Sequence, residues 1–502
     1  MQTLKESGVE AAARVLARTQ PLPSVCGRVC PAPCMSSCNR ESLDGSLNIR
    51  GLERWVGDHM TGQMPEVESC LSSHRVAVVG GGPAGLGAAY ILAPAGHDVT
   101  VYDSESELGG VLRTAIPSYR LPRDVLDRDI NRILGLGVKV KCGEVLDAAR
   151  VQSLSSEYDA VVLATGQACS RASDCSGVEL PGVVQGLEFL YGVKTGAAVT
   201  MRGSVVVIGG GNTAVDCART ALRCGARDVS IVYRRGREEM PAIEQEIEEA
   251  IAEGINLVLY RQPVRFIGEG RLTGVEVAEV VLGEPDASGR KRPVPTDRLT
   301  ILSCDHVLLA IGQDADLGIL PSEWAVKGGR VYQSDRPMNV WLAGDLTTGA
   351  GTVAHAVGHG KNVARSILDE FEGRRSSEFD IDTPEPEIIA PEHIRFEHFP
   401  RAERQDESHL PVTSRASGFE EVNLGLTDAS EAERCFSCGR CTQCDTCLVY
   451  CPEGIVTRII DGYAISEDYC KGCGICAWEC PRHAMRMTAQ GSGSSSRWTL
   501  RC

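Results

Sequence analysis

RVAVVGGGPAGLGAAYILAPAGHDVTVYDS, residues 75–104, decides the fold. An apolar strand runs into Gly80-x-Gly82-x-x-Gly85, a small-residue helix follows, and a second apolar strand ends at Asp103. Glycines at that spacing allow a tight turn and let a pyrophosphate approach the helix N-terminus, and an acid about twenty residues on accepts from ribose hydroxyls. An accidental glycine-rich turn has no need of strand, helix and acid in register. The stretch therefore reads as a dinucleotide site in an α/β fold.

The pattern returns in residues 203–235, GSVVVIGGGNTAVDCARTALRCGARDVSIVYRR, with Gly209-x-Gly211-x-x-Ala214. No acid closes its second strand. Arg234 and Arg235 stand there instead, and arginine at that place neutralises a 2'-phosphate, which favours NADP over NAD. The competing reading has the pair capping the strand or meeting a surface carboxylate. Residues 340–367, VWLAGDLTTGAGTVAHAVGHGKNVARSI, give a strand, Gly344-Asp345, a run of small residues and a helix. This segment resembles the second flavin contact of a two-dinucleotide reductase, with Asp345 towards the ribityl and pyrophosphate groups and the amides at Thr352 and Val353 towards the ring. His355 and His359 share one helix face but lack a third ligand nearby, so they read as packing or surface residues rather than a metal site.

Cysteine carries the second signal. Of 22 cysteines, fourteen fall into two groups, and in a chain without a secretory signal they point to metal or redox sites rather than disulfides. Cys441, Cys444, Cys447, Cys451-Pro452 and Cys470, Cys473, Cys476, Cys480-Pro481 are both C-x2-C-x2-C-x3-C-P runs. In two-cluster ferredoxins the fourth cysteine of each run serves the other cluster, which assigns Cys441, Cys444, Cys447 and Cys480 to one 4Fe-4S cluster and Cys470, Cys473, Cys476 and Cys451 to the other. Structural zinc, usually held by two short pairs, fits these matched runs poorly. Near the N-terminus, PLPSVCGRVCPAPCMSSC places Cys26, Cys30, Cys34 and Cys38 four apart in a proline-broken loop. A third 4Fe-4S cluster is expected there, against zinc or a half-site completed elsewhere. Cys435 and Cys438 precede the first ferredoxin run, and three roles stay open for them: replacing ligands of the first cluster, completing a site shared with the N-terminal segment or a partner, or remaining free thiols. Cys70, Cys142, Cys169, Cys175, Cys217, Cys224, Cys304 and Cys502 are scattered and read as small buried hydrophobes.

At 502 residues the chain exceeds what one core organises, so about three domains are expected. A net charge of −16 argues against nucleic acid, which needs clustered Lys and Arg, and leaves proteins or small anions as partners. No apolar run reaches the ~18 residues of a membrane span. The first twenty residues read as an amphipathic helix whose Glu6 and Glu10 disfavour a transit peptide, so a cytoplasmic location is expected.

Together CGRVCPAPC (26–34), GGGPAGL (80–86), GGVLRTAIPSYRLP (109–122), ATG (164–166), GGGNTAVDCART (209–220), VYRRGREEMPA (232–242), AIGQ (310–313) and AGDLTTGAGTV (343–353) resemble the small subunit of bacterial glutamate synthase and the N-terminal half of dihydropyrimidine dehydrogenase, over roughly residues 20 to 370. The resemblance implies FAD held by Gly80, Gly82, Ala84, Gly85, Asp103, Gly110, Arg113, Gly344 and Asp345. It implies NAD(P)H held by Gly209, Gly211, Asn212, Thr213, Arg234 and Arg235, in a domain inserted into the FAD domain. Relatives of this kind carry a further cysteine group upstream of GRVC that builds a second N-terminal cluster; here Cys26 is expected to supply the ligand of that group. The ferredoxin-like C-terminus resembles flavoprotein subunits attached to 2-oxoacid:acceptor oxidoreductases, benzoyl-CoA reductase systems or dissimilatory sulfite reductase.

The expected order is an N-terminal helical iron-sulfur segment (1–74), a first FAD-binding segment (75–203), an NAD(P)-binding domain (204–309), a second FAD-binding segment (310–372), an extended linker (373–432), an α+β two-cluster ferredoxin domain (433–489) and a structureless tail (490–502). Nicotinamide exchanges two electrons and a cluster one, so a flavin is expected between them. The expected function is an NAD(P)H:ferredoxin-type or acceptor oxidoreductase, the flavoprotein subunit of a hetero-oligomeric complex with ferredoxin or a catalytic redox subunit as partner. The alternatives are a glutamate synthase small subunit and a non-enzymatic electron-relay scaffold. No side-chain nucleophile or acid–base pair is expected.

Overall fold

The computed structural model describes the chain except for residues 61, 63–64, 66–72, 168, 198, 286–288, 350, 374–387, 461, 490–497 and 502. Two doubly wound units form its middle. The strands, in chain order, are β1 (Arg75–Val79), β2 (Asp98–Asp103), β3 (Lys139–Cys142), β4 (Ala160–Leu163), β5 (Cys169–Ser170), β6 (Val183–Gln185), β7 (Gly203–Ile208), β8 (Ala226–Tyr233), β9 (Asn256–Leu259), β10 (Arg261–Gly268), β11 (Leu272–Pro285), β12 (Lys291–Ser303), β13 (His306–Leu309), β14 (Gln313–Asp314), β15 (Trp324–Lys327), β16 (Arg330–Gln333) and β17 (Arg336–Leu342). The first sheet has the order β15-β16-β17-β4-β1-β2-β3, parallel from β17 to β3 and antiparallel beyond. The second, β6-β13-β7-β8-β9, is wholly parallel. Val76 to Val79 are buried on both faces, as parallel strands covered by helices demand.

The order of the sheets sets one unit inside the other and moves the edge of the insertion. β6, the helix Gly186–Lys194 and Met201 join the second sheet and its core, with Phe189 and Leu190 packed against Val205, Val207 and Leu308. The expected boundary at 204 therefore falls inside the second unit, expected to hold the nucleotide. A three-residue strand of half-buried residues carries too little periodicity to announce itself. The crossings between units meet in the small ribbon β5–β14.

Glycine lets the unit on the first sheet, expected to hold flavin and called the flavin unit below, close. Helix Val353–Phe371 packs on helix Pro83–Leu92, and a Cβ at Gly360 would stand 1.9 Å from the Ala84 carbonyl oxygen. The N-terminal segment is helical, but not a separate body: Leu22, Val25, Cys26 and Val29 enter the flavin unit's core.

Residues 388–434 differ from the expected linker. They form a strap with a short ribbon, β18 (Ser408–His409) with β19 (Asn423–Gly425), bound to the N-terminal segment by buried charge. Glu421 pairs with Arg28 at 2.6 Å and Arg54 at 3.0 Å, Glu407 with Arg50 at 2.9 Å, and Arg434 with Glu431 at 2.7 Å and Asp44 at 3.0 Å. Leu426 and Ala432 complete a core with Leu4, Ala12, Ala13, Leu47 and Leu52. The hydrophilic composition hid this because many of the joints are ionic and the apolar ones rest on a few scattered residues.

The C-terminal domain has β20 (Val456–Ile459) paired with β21 (Gly462–Ile465), and β22 (Arg486–Ala489) paired with β23 (Trp498–Arg501). Residues 498–501 of the expected tail are thus a strand; the rest of the tail, with Cys70 and Cys502, lies outside the described residues. Of the scattered cysteines, Cys217 and Cys304 are buried, Cys142, Cys175 and Cys224 half-buried, and Cys169 exposed. None of the described cysteines is in a disulfide. Among the described residues no helix is long and apolar enough to cross a membrane.

Two stability outcomes follow from this packing. Gly360→Ala is expected to cost at least about 3 kcal/mol, read by thermal unfolding, because backbone rather than a side-chain tip must give way. Asp129, buried beside Arg132 and accepting from the Val25 amide at 3.0 Å, is pushed up to about 6 by burial. A raised carboxyl favours the fold while protonated, so stability falls as pH rises from about 4 through 6, by about 3 kcal/mol. Asp129→Asn, which keeps the acceptor, should flatten denaturation midpoints over that window.

Candidate functional site: two glycine turns and three groups of cysteines

In the first turn the glycines have separate jobs. A Cβ at Gly80 would meet the Ala164 carbonyl oxygen at 2.4 Å, and one at Gly85 would stand 1.9 Å from the Gly80 oxygen, so the protein itself excludes side chains there. At Gly82 the nearest atom would be the Gly110 Cα, 3.8 Å away, which leaves an open face at the helix N-terminus for a pyrophosphate. Asp103 is buried; its Oδ2 accepts from the Gly81 amide at 2.7 Å and its Oδ1 from the Glu105 amide at 2.9 Å. Those bonds hold the carboxylate at the end of β2, where a ribose is expected.

The opposite wall is Gly344–Asp345. The Gly344 amide donates to His359 Nδ1 at 2.9 Å, so His359 positions the loop. Burial pushes the Asp345 carboxyl up, against the opposing pull of His355 and the Gly351 amide, and its buried Oδ1 makes no well-formed hydrogen bond among the described residues. An orphaned acceptor beside an open glycine turn fits a hydroxyl-bearing dinucleotide such as FAD. Thr352 caps the following helix, its hydroxyl accepting from the His355 amide at 3.2 Å, and Val353 opens that helix half-buried. Ala84 packs against Gly344 and Gly360. Arg113 is anchored by its Nε on the Leu108 oxygen at 2.6 Å and its Nη2 on Asp127 at 2.5 Å, leaving only Nη1 without a hydrogen bond.

The second turn repeats this division. A Cβ at Gly209 would meet the Ala310 oxygen at 2.2 Å, whereas at Gly211 the nearest atom is Pro241 Cγ at 3.9 Å. Asn212 Oδ1 is occupied by the Ile243 amide at 2.9 Å, and Thr213 is half-buried at the helix start. The two arginines diverge. Arg235 is buried and its Nε donates to the Lys291 carbonyl at 2.9 Å, while Arg234 is exposed. Of the pair, Arg234 is the one that a phosphate in solution can reach.

Both ferredoxin assignments converge in space. Cys441, Cys444, Cys447 and Cys480 line one cavity with Tyr463, Pro481 and Met485, and Cys451, Cys470, Cys473 and Cys476 line another with Ile455, Val456 and Met487. Four thiols facing each small cavity fit a four-iron cluster. The N-terminal thiols stand in unlike surroundings, although Cys26 and Cys30 lie close enough to act on one another, as do Cys30, Cys34 and Cys38. Cys26 faces the flavin unit's core, its thiol raised by burial; Cys30 and Cys38 are half-buried and Cys34 exposed. The resemblance marked SYRLP without giving it a role. Tyr119 and Arg120 of that stretch lock the two units together: Arg120 pairs with Asp216 at 2.8 Å and Glu246 at 2.9 Å, and Tyr119 lies under Arg223 at 3.9 Å.

Family models agree with this geometry. Residues 74–360 match pyridine nucleotide-disulphide oxidoreductase, residues 1–64 match dihydropyrimidine dehydrogenase domain II, 4Fe-4S cluster, and residues 463–486 match a 4Fe-4S binding domain. Among curated relatives, the NADP(+)-dependent formate dehydrogenase subunit beta of Moorella thermoacetica is 36% identical over 88% of this chain and 68% of its own. The NADPH-Fe(3+) oxidoreductase subunit beta of Geobacter sulfurreducens is 34% identical over 88% and 73%, and the glutamate synthase [NADPH] small chain of Halomonas elongata 35% over 74% and 84%. Mycobacterium tuberculosis FprA, solved in complex with NADPH, superposes with a TM-score of 0.54 at 17% identity, over 60% of this chain and 85% of its own, and speaks to the fold alone.

Asp345→Ala tests the flavin wall. It is expected to weaken flavin retention about tenfold or more, read as the flavin-to-protein absorbance ratio after gel filtration, because a charge-assisted hydrogen bond is lost. An unchanged ratio would remove Asp345 from the site.

Proposed function

Since the chain belongs to the pyridine nucleotide-disulphide oxidoreductase family, we propose that it is the flavoprotein subunit of a larger redox complex, moving electrons between NADPH and its ferredoxin-type clusters to serve ferredoxin or a catalytic partner subunit. The observation that carries this reading is the combination, on one chain, of two open-faced glycine turns with two cavities that each gather four cysteines. Bound flavin would supply the conversion between two-electron and one-electron chemistry. The chain's own residues bind, orient and insulate. Gly82 and Gly211 leave room for phosphates at helix N-termini, Asp103 and Asp345 stand towards hydroxyls, and Arg234 offers the positive charge. The walls of the cysteine cavities set the surroundings of the sulfurs, with Cys447 and Cys476 buried and Cys444 and Cys473 exposed, and so tune their potentials.

The relatives named as beta subunits of formate dehydrogenase and of an NADPH-Fe(3+) oxidoreductase support a role in a hetero-oligomer. A glutamate synthase small subunit is the weaker reading, because the similarity to that chain spans 74% of this one. A scaffold with vestigial nucleotide sites would have no reason to keep Gly82 and Gly211 open.

Dye reduction by NADPH and NADH separates these readings. Arg234→Ser is expected to raise KM for NADPH about tenfold with kcat and NADH kinetics little changed, the cost of about 1.4 kcal/mol of phosphate contact. Cys473→Ser should slow transfer to ferredoxin while NADPH still bleaches the flavin. No oxidation of either nucleotide by flavin-loaded protein would defeat the proposal.

A further inference from the structure

Cys435 and Cys438 line neither ferredoxin cavity, yet their backbone is that of a cluster-binding turn. In the first ferredoxin run Gln443 (φ 52°) sits two residues after Cys441 and Asp445 (φ 63°) one after Cys444; in the second, Gly472 (φ 66°) and Gly474 (φ 75°) hold the same offsets from Cys470 and Cys473. Ser437 (φ 55°) and Gly439 (φ 71°) repeat both positions for Cys435 and Cys438. A left-handed residue inside C-x2-C turns a peptide N–H back onto the first sulfur, and the Ser437 amide donates to Cys435 Sγ at 3.4 Å. Serine rarely adopts this conformation without a reason to.

This third turn faces the other end of the chain. Asn39 Nδ2 donates to Cys438 Sγ at 3.5 Å and to the Ile389 carbonyl at 2.7 Å, fixing Cys38's neighbour against the turn. Cys38 and Cys435 pack against the same core. Cys435 and Cys38 are both among the groups acting on the Cys438 thiol, and Cys38 and Cys30 among those acting on Cys34. Lys5 Nζ donates to the Cys435 carbonyl at 3.1 Å, tying the first helix to the turn.

We propose that Cys435 and Cys438 join Cys38 in a further four-iron cluster whose remaining thiol comes from the same N-terminal loop. The expected set of Cys26, Cys30, Cys34 and Cys38 is thereby divided, with Cys26 left in the flavin unit's core. The proposal rests on the protein being an iron-sulfur protein, as proposed above, but not on its nucleotide chemistry.

The test compares full-length, flavin-loaded Cys438→Ser and Cys38→Ser with wild type and with Cys473→Ser, by iron and acid-labile sulfide content and low-temperature EPR of the reduced protein. Each of the first two should lose about four irons and the same signal, keep its flavin, and retain the signal that Cys473→Ser removes. Full iron in Cys438→Ser, or different signals lost from Cys438→Ser and Cys38→Ser, would overturn it. Should either variant fail to fold, wild type decides. Iodoacetamide under native anaerobic conditions should spare Cys38, Cys435 and Cys438 in the iron-replete protein and label all three after chelation; labelling of Cys438 at full iron content overturns the site. Neither readout uses NADPH, so a failed dye assay and a failed cluster site remain distinguishable.

Discussion

Arg219 carries a charge into the interior with none of its side chain exposed, and the assembly of the molecule follows from how that charge is answered. Glu246, Glu249 and Glu253 meet its guanidinium at 2.6 to 2.8 Å. The ring of Tyr119, delivered by the flavin unit, lies 4.8 Å below it, and His409 of the strap takes the far side of Glu249 at 3.2 Å. A buried ion left without its partner costs several kcal/mol, so flavin loop, nucleotide helix and strap share one arrangement that satisfies every charge. The ionic joint does for orientation what the apolar cores do for each unit.

Each glycine turn sorts its residues into those the protein needs and those a ligand needs. Gly80, Gly85 and Gly209 are closed against backbone oxygens, whereas at Gly82 and Gly211 the protein itself would admit a Cβ at ordinary contact distance. The fingerprint spells both kinds with the same letter. Only the packing tells them apart, and it does so the same way in both units.

What the sequence made legible was whatever short-range spacing dictates. Gly80 to Asp103 and the two ferredoxin runs act within a turn or a single strand–helix unit, and the exchanged fourth cysteines, Cys480 and Cys451, meet the cavities expected of them. What escaped depended on facing. Arg234 and Arg235 lie in the bend that follows β8, one exposed and one buried, and the letters do not say which. Cys26 keeps the four-residue spacing of its group, but helix Pro23–Val29 turns it towards Leu22 and Val25. The edge strand β6 and the strap at 388–434 escaped because their partners lie a hundred or more residues away.

The core shared by Leu4, Ala13 and Leu52 with Leu426 and Ala432 also sets an order of biogenesis. The first helix leaves the ribosome with an apolar face that Leu47, Leu52 and Val56 cover in part and that only the strap, some four hundred residues later, completes. The two dinucleotide units, complete by residue 371, can fold while that face still waits. Closure of that seam therefore waits until residue 432 has been made, with the ferredoxin domain still to follow: a chain that stops short of Ala432 keeps both nucleotide folds and presents an open hydrophobic seam.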